Sequence, residues 1–299
     1  MREAFEYLIP SCVDEAIVLR RQIGERGCFI AGGTEIVPRM NRGEFAPIGL
    51  VELSRLQELC VLDHEDGGHG GLRIGAMITH AEVERSPLTK GPWQALSDAS
   101  SSIRSPQAIN QGTIGGNIVF GVPSADLVPP FLALEANLRL KGANGERRLP
   151  LRDFLVGPYR NQLQDGEVLI EVRLSKADEN FASAFCKAAK YRGLGLAIAS
   201  VAAALTLREG RVHDVRIAIG AATPVPRRIA EAEAFLEGKV PDERVLREAG
   251  HLVAAAAEPR EDSIRASPFY KRKVLVPLTE RAVASAAARS RAQSSEGNK

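Results

Sequence analysis

The residues best suited to chemistry sit in two glycine-bearing turns. The stretch GTIGGNIVFGVPSAD, residues 112–126, reads as a glycine-rich turn, a short apolar run over 118–120 and a Pro123-Ser124-Ala125-Asp126 corner. Gly115 and Gly116 lack a β-carbon, so they tolerate positive φ and bring backbone N–H groups close to another surface. A run of such N–H groups makes a concavity for phosphate oxygens. Thr113, Ile114 and Asn117 complete the turn, and the Asp126 carboxylate is placed to accept from sugar hydroxyls. Earlier, Ala31-Gly32-Gly33-Thr34-Glu35 repeats the theme after the apolar run 28–31. Two Gly-Gly turns, each flanked by threonine, suggest a diphosphate held from two sides, though each alone also reads as an ordinary turn. Neither is a G-x-G-x-x-G fingerprint or a G-x-x-x-x-G-K-[ST] loop, so the residues alone reach a possible nucleotide or dinucleotide site and stop there.

Composition narrows the classes. The 299 residues suffice for two domains, and 44% hydrophobic with 25% charged residues is ordinary for a globular chain. Lys+Arg 39 against Asp+Glu 37 leaves almost no net charge, which argues against nucleic acid or an anionic membrane as partner. Cys12, Cys28, Cys60 and Cys186 never form C-x-x-C, so no zinc ribbon, iron–sulfur cluster or disulfide framework is expected on this chain. The five histidines show no metal-ligand spacing; His64 and His69 fall in a loop, DHEDGGHGG, read as a solvated turn. The start of the chain has acidic residues and no apolar core of a signal peptide, and the apolar stretch 194–207 is short of a membrane span. The expectation is a soluble, cytoplasmic protein.

The elements that position these turns follow from periodicity. Residues 5–7 begin a strand; Ser11, with Asp14, reads as the cap of a helix reaching about Gly24. A strand over 28–31, a helix capped by Thr34 and a strand over 50–53 complete a β-α-β-α-β lobe. Beyond it, strands are predicted over 59–62 and 72–74, a capping box at Thr79 and Glu82 starts a helix, and 93–101 is another. Residues 128–134 pack behind the turn; 137–141 and 148–151 form a hairpin, and 167–174 is a strand. The reading is an α+β fold with one domain over 1–176, in lobes of about 1–55 and 56–176, and the ligand between them. A polar linker over 175–180 precedes a smaller α+β domain over 181–289. In it, strands fall at 201–207 and 215–220, and helices at about 227–237, 242–257 and 268–289. The tail 290–299 reads as disordered.

FEYLIPSCVDEA, AGGTE, LVELSRLQEL, RIGAMITHAEVERSP, GTIGGN and PSADLVPPFLALEA follow in order along residues 5–136. As a set this resembles the flavin-binding subunit of the molybdenum hydroxylases, the family of xanthine dehydrogenase, carbon monoxide dehydrogenase and the hydroxybenzoyl-CoA reductases. The resemblance implies a two-lobed FAD-binding domain of the PCMH/vanillyl-alcohol-oxidase type followed by a C-terminal flavoprotein domain that opens with a strand over 181–190. It implies non-covalent FAD, with residues 31–35 on one side of its diphosphate and 113–117 supplying backbone donors on the other. It places Asp126 on sugar or ribityl hydroxyls, Leu169 against the cofactor, and Lys187 near the flavin, where a cation favours an anionic reduced ring. Leu169 also reads as a core leucine and Lys187 as a surface-strand lysine. The chain departs from the family pattern at Ile109, where the family usually has arginine, at Asn161, where it usually has threonine, and at Gly195, where it usually has an acid.

By the same resemblance the chain is an electron-transfer component. Electrons would arise at a molybdenum cofactor on a large partner subunit, pass through [2Fe–2S] clusters on a small one, and leave FAD for an external acceptor. The implied assembly is a dimer of heterotrimers. No catalytic acid–base or nucleophile set is visible in the chain. The alternatives are a stand-alone FAD oxidoreductase and a non-catalytic assembly subunit that has lost FAD. The dispersed cysteines argue against the reductase branch, whose flavin subunit carries an extra cluster insertion.

Overall fold

The computed structural model describes residues 4–65, 70–191 and 195–296; His69 lies outside them. The first lobe runs β1 (Glu6–Leu8), α1 (Val13–Ile23), β2 (Gly27–Ile30), α2 (Ile36–Asn41), β3 (Gly49–Glu52). Its three strands form a parallel sheet in the order β1-β3-β2. The start of α1 differs from expectation by one residue. Cys12 is the N-cap, and Glu15 reaches back to accept from both the N–H and hydroxyl of Ser11. Thr34 caps nothing: Glu35 occupies the N-cap of α2 and makes no side-chain capping bond.

The second lobe contains β4 (Leu62–His64), β5 (Leu72–Gly75), α3 (His80–Arg85), α4 (Gln94–Ser101), α5 (Pro106–Gln111), α6 (Ile114–Phe120) and α7 (Val128–Ala133). It continues through β6 (Asn137–Gly142), β7 (Gly145–Pro150), α8 (Leu151–Phe154), β8 (Leu155–Gly157), β9 (Arg160–Asn161) and β10 (Val168–Leu174). Its main sheet has the order β4-β5-β10-β6-β7. The strand expected over 59–62 is instead a 3-10 turn at Gln57–Leu59 followed by β4; the apolar run gave no means of separating the two. The capping box at Thr79 and Glu82 forms as predicted.

Strand β10 is the wall between the lobes. Val168 and Ile170 pack with Val13, Ile17 and Val51 of the first lobe, while Leu169 and Val172 pack with Leu138 and Ile114 of the second. Successive side chains on a strand point to opposite faces, and a register shift between Leu169 and Glu171 brings Val172 to the same side as Leu169, so one buried strand serves two cores.

The second domain is an antiparallel sheet, β11 (Phe181–Ala189), β12 (Ala197–Arg208), β13 (Arg211–Gly220) and β14 (Arg227–Arg228), with α9 (Ala230–Leu236), α10 (Glu243–Ala256) and α11 (Pro268–Glu296) on one face. The same alternation decides its orientation. Ala202, Ala204 and Ala218 face the core of the first domain; Val201, Ala203, Leu205, Ile217 and Ile219 face the helices. Small side chains on the first of these faces let α7 lie close against the sheet. Two expectations fail here. Residues 227–228 are strand rather than helix, and α11 runs past Arg289 to Glu296, so the segment read as a disordered tail is helical that far. A polar composition is compatible with a helix once one side is packed: Ser290 is fully buried and its hydroxyl donates to the Asn180 carbonyl and accepts from the Leu207 N–H.

Polar contacts fasten the two domains. Arg289 forks onto Asp98 at 2.6 and 3.1 Å and donates to the Ser183 carbonyl at 2.7 Å. Asp98 also accepts from the Phe185 N–H. Arg216 and Arg228 pair with Glu135 on the other side of α7.

Candidate functional site

The two glycine turns meet. A β-carbon built on Gly32 would lie 1.6 Å from the Gln111 carbonyl oxygen and 3.3 Å from the Gly112 nitrogen. Gly32 is therefore required by close approach of backbone to backbone, not by its φ. Gly33 next to it does need freedom, at φ 68°. Among the described residues, no protein acceptor meets the backbone N–H groups of Gly32, Gly33, Thr34 or Glu35. Such consecutive free donors, wrapped around one left-handed residue, form an anion-binding concavity. Partial desolvation holds the Glu35 carboxyl above its ordinary range, with Arg39 and Arg42 acting the other way.

The second turn is built differently from the expectation. Residues 114–120 are the helix α6, with Thr113 as N-cap, so the apolar run 118–120 is helical rather than extended. Gly115 and Gly116 keep negative φ. Four N–H groups expected to be free donors are already used: Ile114 to Ile78 O, Gly115 to Ala76 O, Gly116 to Thr113 Oγ1 and Asn117 to Thr113 O. Glycine is needed at 115 because a β-carbon there would lie 2.8 Å from both Ala76 Cβ and Ala76 O. At Gly116 the same atom would meet Thr113 Oγ1 at 3.1 Å and otherwise open space. The backbone at 116 is bare toward a surface that the protein itself does not fill. What this side offers a ligand is an exposed glycine face and acceptors, since Asn117 Oδ1 is buried without a partner.

The Asp126 corner joins the two domains. Asp126 Oδ2 pairs with Lys187 Nζ at 2.7 Å, both side chains more than nine-tenths buried, and Lys187 also donates to Ser102 O. Burial pushes the Asp126 carboxyl up; Lys187 and Arg265 oppose it. Asp126 Oδ1 is buried with no partner. Lys187 is thus neither a surface-strand lysine nor an unopposed cation, because Asp126 takes its charge. Leu169 and Ile114 are core residues, 3% and 0% exposed, in one cluster. Ala31 packs on the first-lobe core.

Two of the three departures have local explanations. The Asn161 amide donates to Val119 O at 2.7 Å and its oxygen accepts from the Leu163 N–H, tying β9 to the end of α6. At Gly195 a β-carbon would lie 2.6 Å from Ala189 Cβ, which leaves no room for an acidic side chain. Ile109 is half-buried on α5, and nothing in the structure accounts for its replacing an arginine. Sequence reasoning missed Gln111, whose carbonyl backs Gly32, and Ser124, Arg265 and Lys271 around the Asp126 corner. The Gly-Gly spacing signals the first; no local pattern signals the cations, which arrive from some 140 residues away.

The free donors on one turn and the orphaned acceptors on Asn117 and Asp126 fit a diphosphate-bearing cofactor with hydroxyl groups. Residues 3–176 match the family described as FAD binding domain in molybdopterin dehydrogenase, and residues 184–286 match the CO dehydrogenase flavoprotein C-terminal domain. The chain is 31% identical to the carbon monoxide dehydrogenase medium chain of Hydrogenophaga pseudoflava, covering 95% of this chain and 98% of that one. It is 29% identical to the xanthine dehydrogenase FAD-binding subunit of Escherichia coli O157:H7, over 87% and 88% of the two. The solved structure of carbon monoxide dehydrogenase from H. pseudoflava superposes with a TM-score of 0.90, covering 97% of this chain and 99% of that one at 31% identity. Quinoline 2-oxidoreductase from Pseudomonas putida 86 superposes at 0.88, covering the same shares at 27% identity. The chain belongs to the family of FAD-binding subunits of the molybdenum hydroxylases, and is an oxidoreductase component whose cofactor is FAD.

Proposed function

We propose that this chain holds FAD non-covalently and relays electrons from [2Fe–2S] clusters on a small partner subunit to an external acceptor. The electrons originate at a molybdenum cofactor on a large partner. Bound FAD supplies the redox chemistry, taking up and releasing electrons singly or in pairs. The chain's own residues bind and orient. The free N–H groups of residues 32–35 take the diphosphate oxygens. Asn117 Oδ1 and Asp126 Oδ1 accept from sugar or ribityl hydroxyls, and the bare face of Gly116 permits close approach. Lys187 fixes Asp126 Oδ2 in place and opposes the upward push of burial on its carboxyl. The observation that carries this reading is the complementarity of unused donors on one turn and unused acceptors on the other. The partners are supported by the name "medium chain" borne by the relatives from H. pseudoflava and Afipia carboxidovorans.

The test is an absorption spectrum of the purified chain, followed by acid precipitation. Oxidised-flavin bands, with FAD released into the supernatant, support the reading. Co-purification with a molybdenum-bearing and an iron–sulfur chain supports the partners. A chain that is colourless and takes up no added FAD refutes the reading. A chain that binds FAD and is reduced by a small substrate unaided is a stand-alone oxidoreductase.

A further inference from the structure

Lys271, in the first turn of α11, is 5% exposed. Its ammonium donates to the Ala221 carbonyl at 2.8 Å, and among the described residues no carboxylate pairs with it. Its charged neighbours are Arg265 and Arg260, of the same sign, so burial first and then these two cations hold its pKa below the ordinary lysine value. A lysine without a counter-ion is unfavourable inside a protein, and a residue that breaks this rule without a gain in packing points to function.

Where the contact leads supplies the gain. Ala221 sits at φ 61°, a left-handed conformation that an alanine adopts only when held there. Its N–H donates to Pro123 O at 2.7 Å. The preceding Gly220 has no room for a side chain, since a β-carbon would lie 2.7 Å from Ser200 Oγ and 2.8 Å from Pro129 Cγ. The end of β13 is therefore pressed onto the Pro123–Asp126 corner, and Lys271 fixes it from behind. Arg265 reaches the same corner directly, with Nη1 3.4 Å from Ser124 Oγ, and its charge acts on Asp126. Three cations of the second domain, Lys187, Arg265 and Lys271, thus converge on one corner of the first.

We propose that Lys271 and Arg265 are positioning residues that set the Asp126 corner for FAD, so that the second domain takes part in cofactor binding rather than only covering it. The proposal rests on the FAD-binding reading above. Lys271 acts through Ala221 on the backbone of Pro123, and Arg265 acts through Ser124; neither has to touch the cofactor.

The experiment titrates FAD into the FAD-free full chain, wild type, Lys271→Met, Lys271→Arg and Arg265→Gln, and records the thermal midpoint of each FAD-free chain. Methionine matches the volume of lysine and removes the buried charge. The expected result for Lys271→Met is at least a tenfold rise in Kd for FAD with an unchanged or raised midpoint, and recovery of most of the affinity in Lys271→Arg. Arg265→Gln, at an exposed position, should raise Kd several-fold with no change in midpoint. A merely structural role gives the opposite pattern: a lowered midpoint with Kd preserved in the folded fraction. Lys271→Met and Arg265→Gln both binding FAD within twofold of wild type would overturn the proposal. Should Lys271→Met not fold, Arg265→Gln alone decides it. Failure of the wild type to bind FAD instead overturns the functional reading beneath it.

Discussion

Replacing Gly32 by alanine should severely weaken FAD binding while leaving most of the fold in place. The new methyl carbon would fall 1.6 Å from the Gln111 carbonyl oxygen, where 3.4 Å or more is an ordinary contact. Both groups belong to backbone, so no side chain can swing aside. The two turns must part by about 1.8 Å, more than the whole spread of roughly 2.7–3.2 Å over which an N–H···O bond is made. Gly32 has no positive φ, so the penalty is steric and falls on the junction of the turns rather than on the local backbone. If the parting removes two charge-assisted bonds at about 1.5–3 kcal/mol each, the loss is about 3–6 kcal/mol. At about 1.4 kcal/mol per factor of ten, Kd rises at least about a hundredfold.

The assay is fluorescence titration of the FAD-free chain, with circular dichroism to establish folding. Gly116→Ala provides the contrast. Its methyl group faces open space apart from Thr113 Oγ1 at 3.1 Å, so its FAD-free chain should unfold at the wild-type temperature and still bind FAD more weakly. Gly32→Ala binding FAD within fivefold of wild type would refute the argument that the junction of the turns forms the cradle.

Two further outcomes follow from buried polar groups. His80 is 5% exposed, its Nδ1 has no partner among the described residues, and burial holds its pKa down to about 4 from 6.5. A folded-state pKa below the unfolded one contributes stability that is present above the unfolded value and lost as pH falls toward the folded one. Between pH 7 and pH 5 this group alone should therefore withdraw about 2 kcal/mol, seen as a falling urea midpoint. His80→Phe should flatten that segment of the curve, and an unchanged slope would remove His80 as its source. Asp98→Ala leaves the Arg289 guanidinium and the Phe185 N–H without their shared acceptor, a loss of about 1–3 kcal/mol at the domain junction. Limited proteolysis of the 175–180 linker should quicken; cleavage at the wild-type rate would show that the apolar contacts alone hold the domains together.

The parts of this molecule legible in its sequence are those written in short spacings. The Thr79–Glu82 capping box formed as read; the element order of the first lobe and the 137–150 hairpin formed too, though the two helix caps of the lobe and the bounds of the second hairpin strand differ from expectation. Gly-Gly at 32–33 announced a special backbone, and the structure supplies the reason in Gln111. Gly115 and Gly116 announced the same thing and misled. They are helical, and their lack of side chains serves close packing against Ala76 on one side and an open face on the other. A glycine pair does not reveal which of these reasons it serves. The tail misled for another cause: its polar composition hides a buried serine, and what packs against it comes from residues 180 and 207. The cations around Asp126 were illegible because nothing local distinguishes Lys271 from any other lysine.

The unsatisfied atoms of the site also explain how stability and function are apportioned between the two domains. Asn117 Oδ1 and Asp126 Oδ1 are buried without partners, and each such atom costs about 1–3 kcal/mol in the FAD-free chain. Lys271 adds a buried ammonium with no counter-ion among the described residues. Asp126 and Lys271 meet at one corner between the domains, while His80, Ser100 and Thr206 carry further buried polar atoms without partners among the described residues. Binding a ligand that completes the orphaned groups raises the stability of the folded state, by about 2.7 kcal/mol when free ligand stands at a hundred times Kd. The corner gains this only while both domains are docked, because Lys187 and Lys271 come from the second and Asp126 from the first. With Asp126 holding FAD as proposed, docking and cofactor binding are coupled in the same residues: Asp98→Ala should then weaken FAD binding as well as the clamp, which FAD titration of that variant checks.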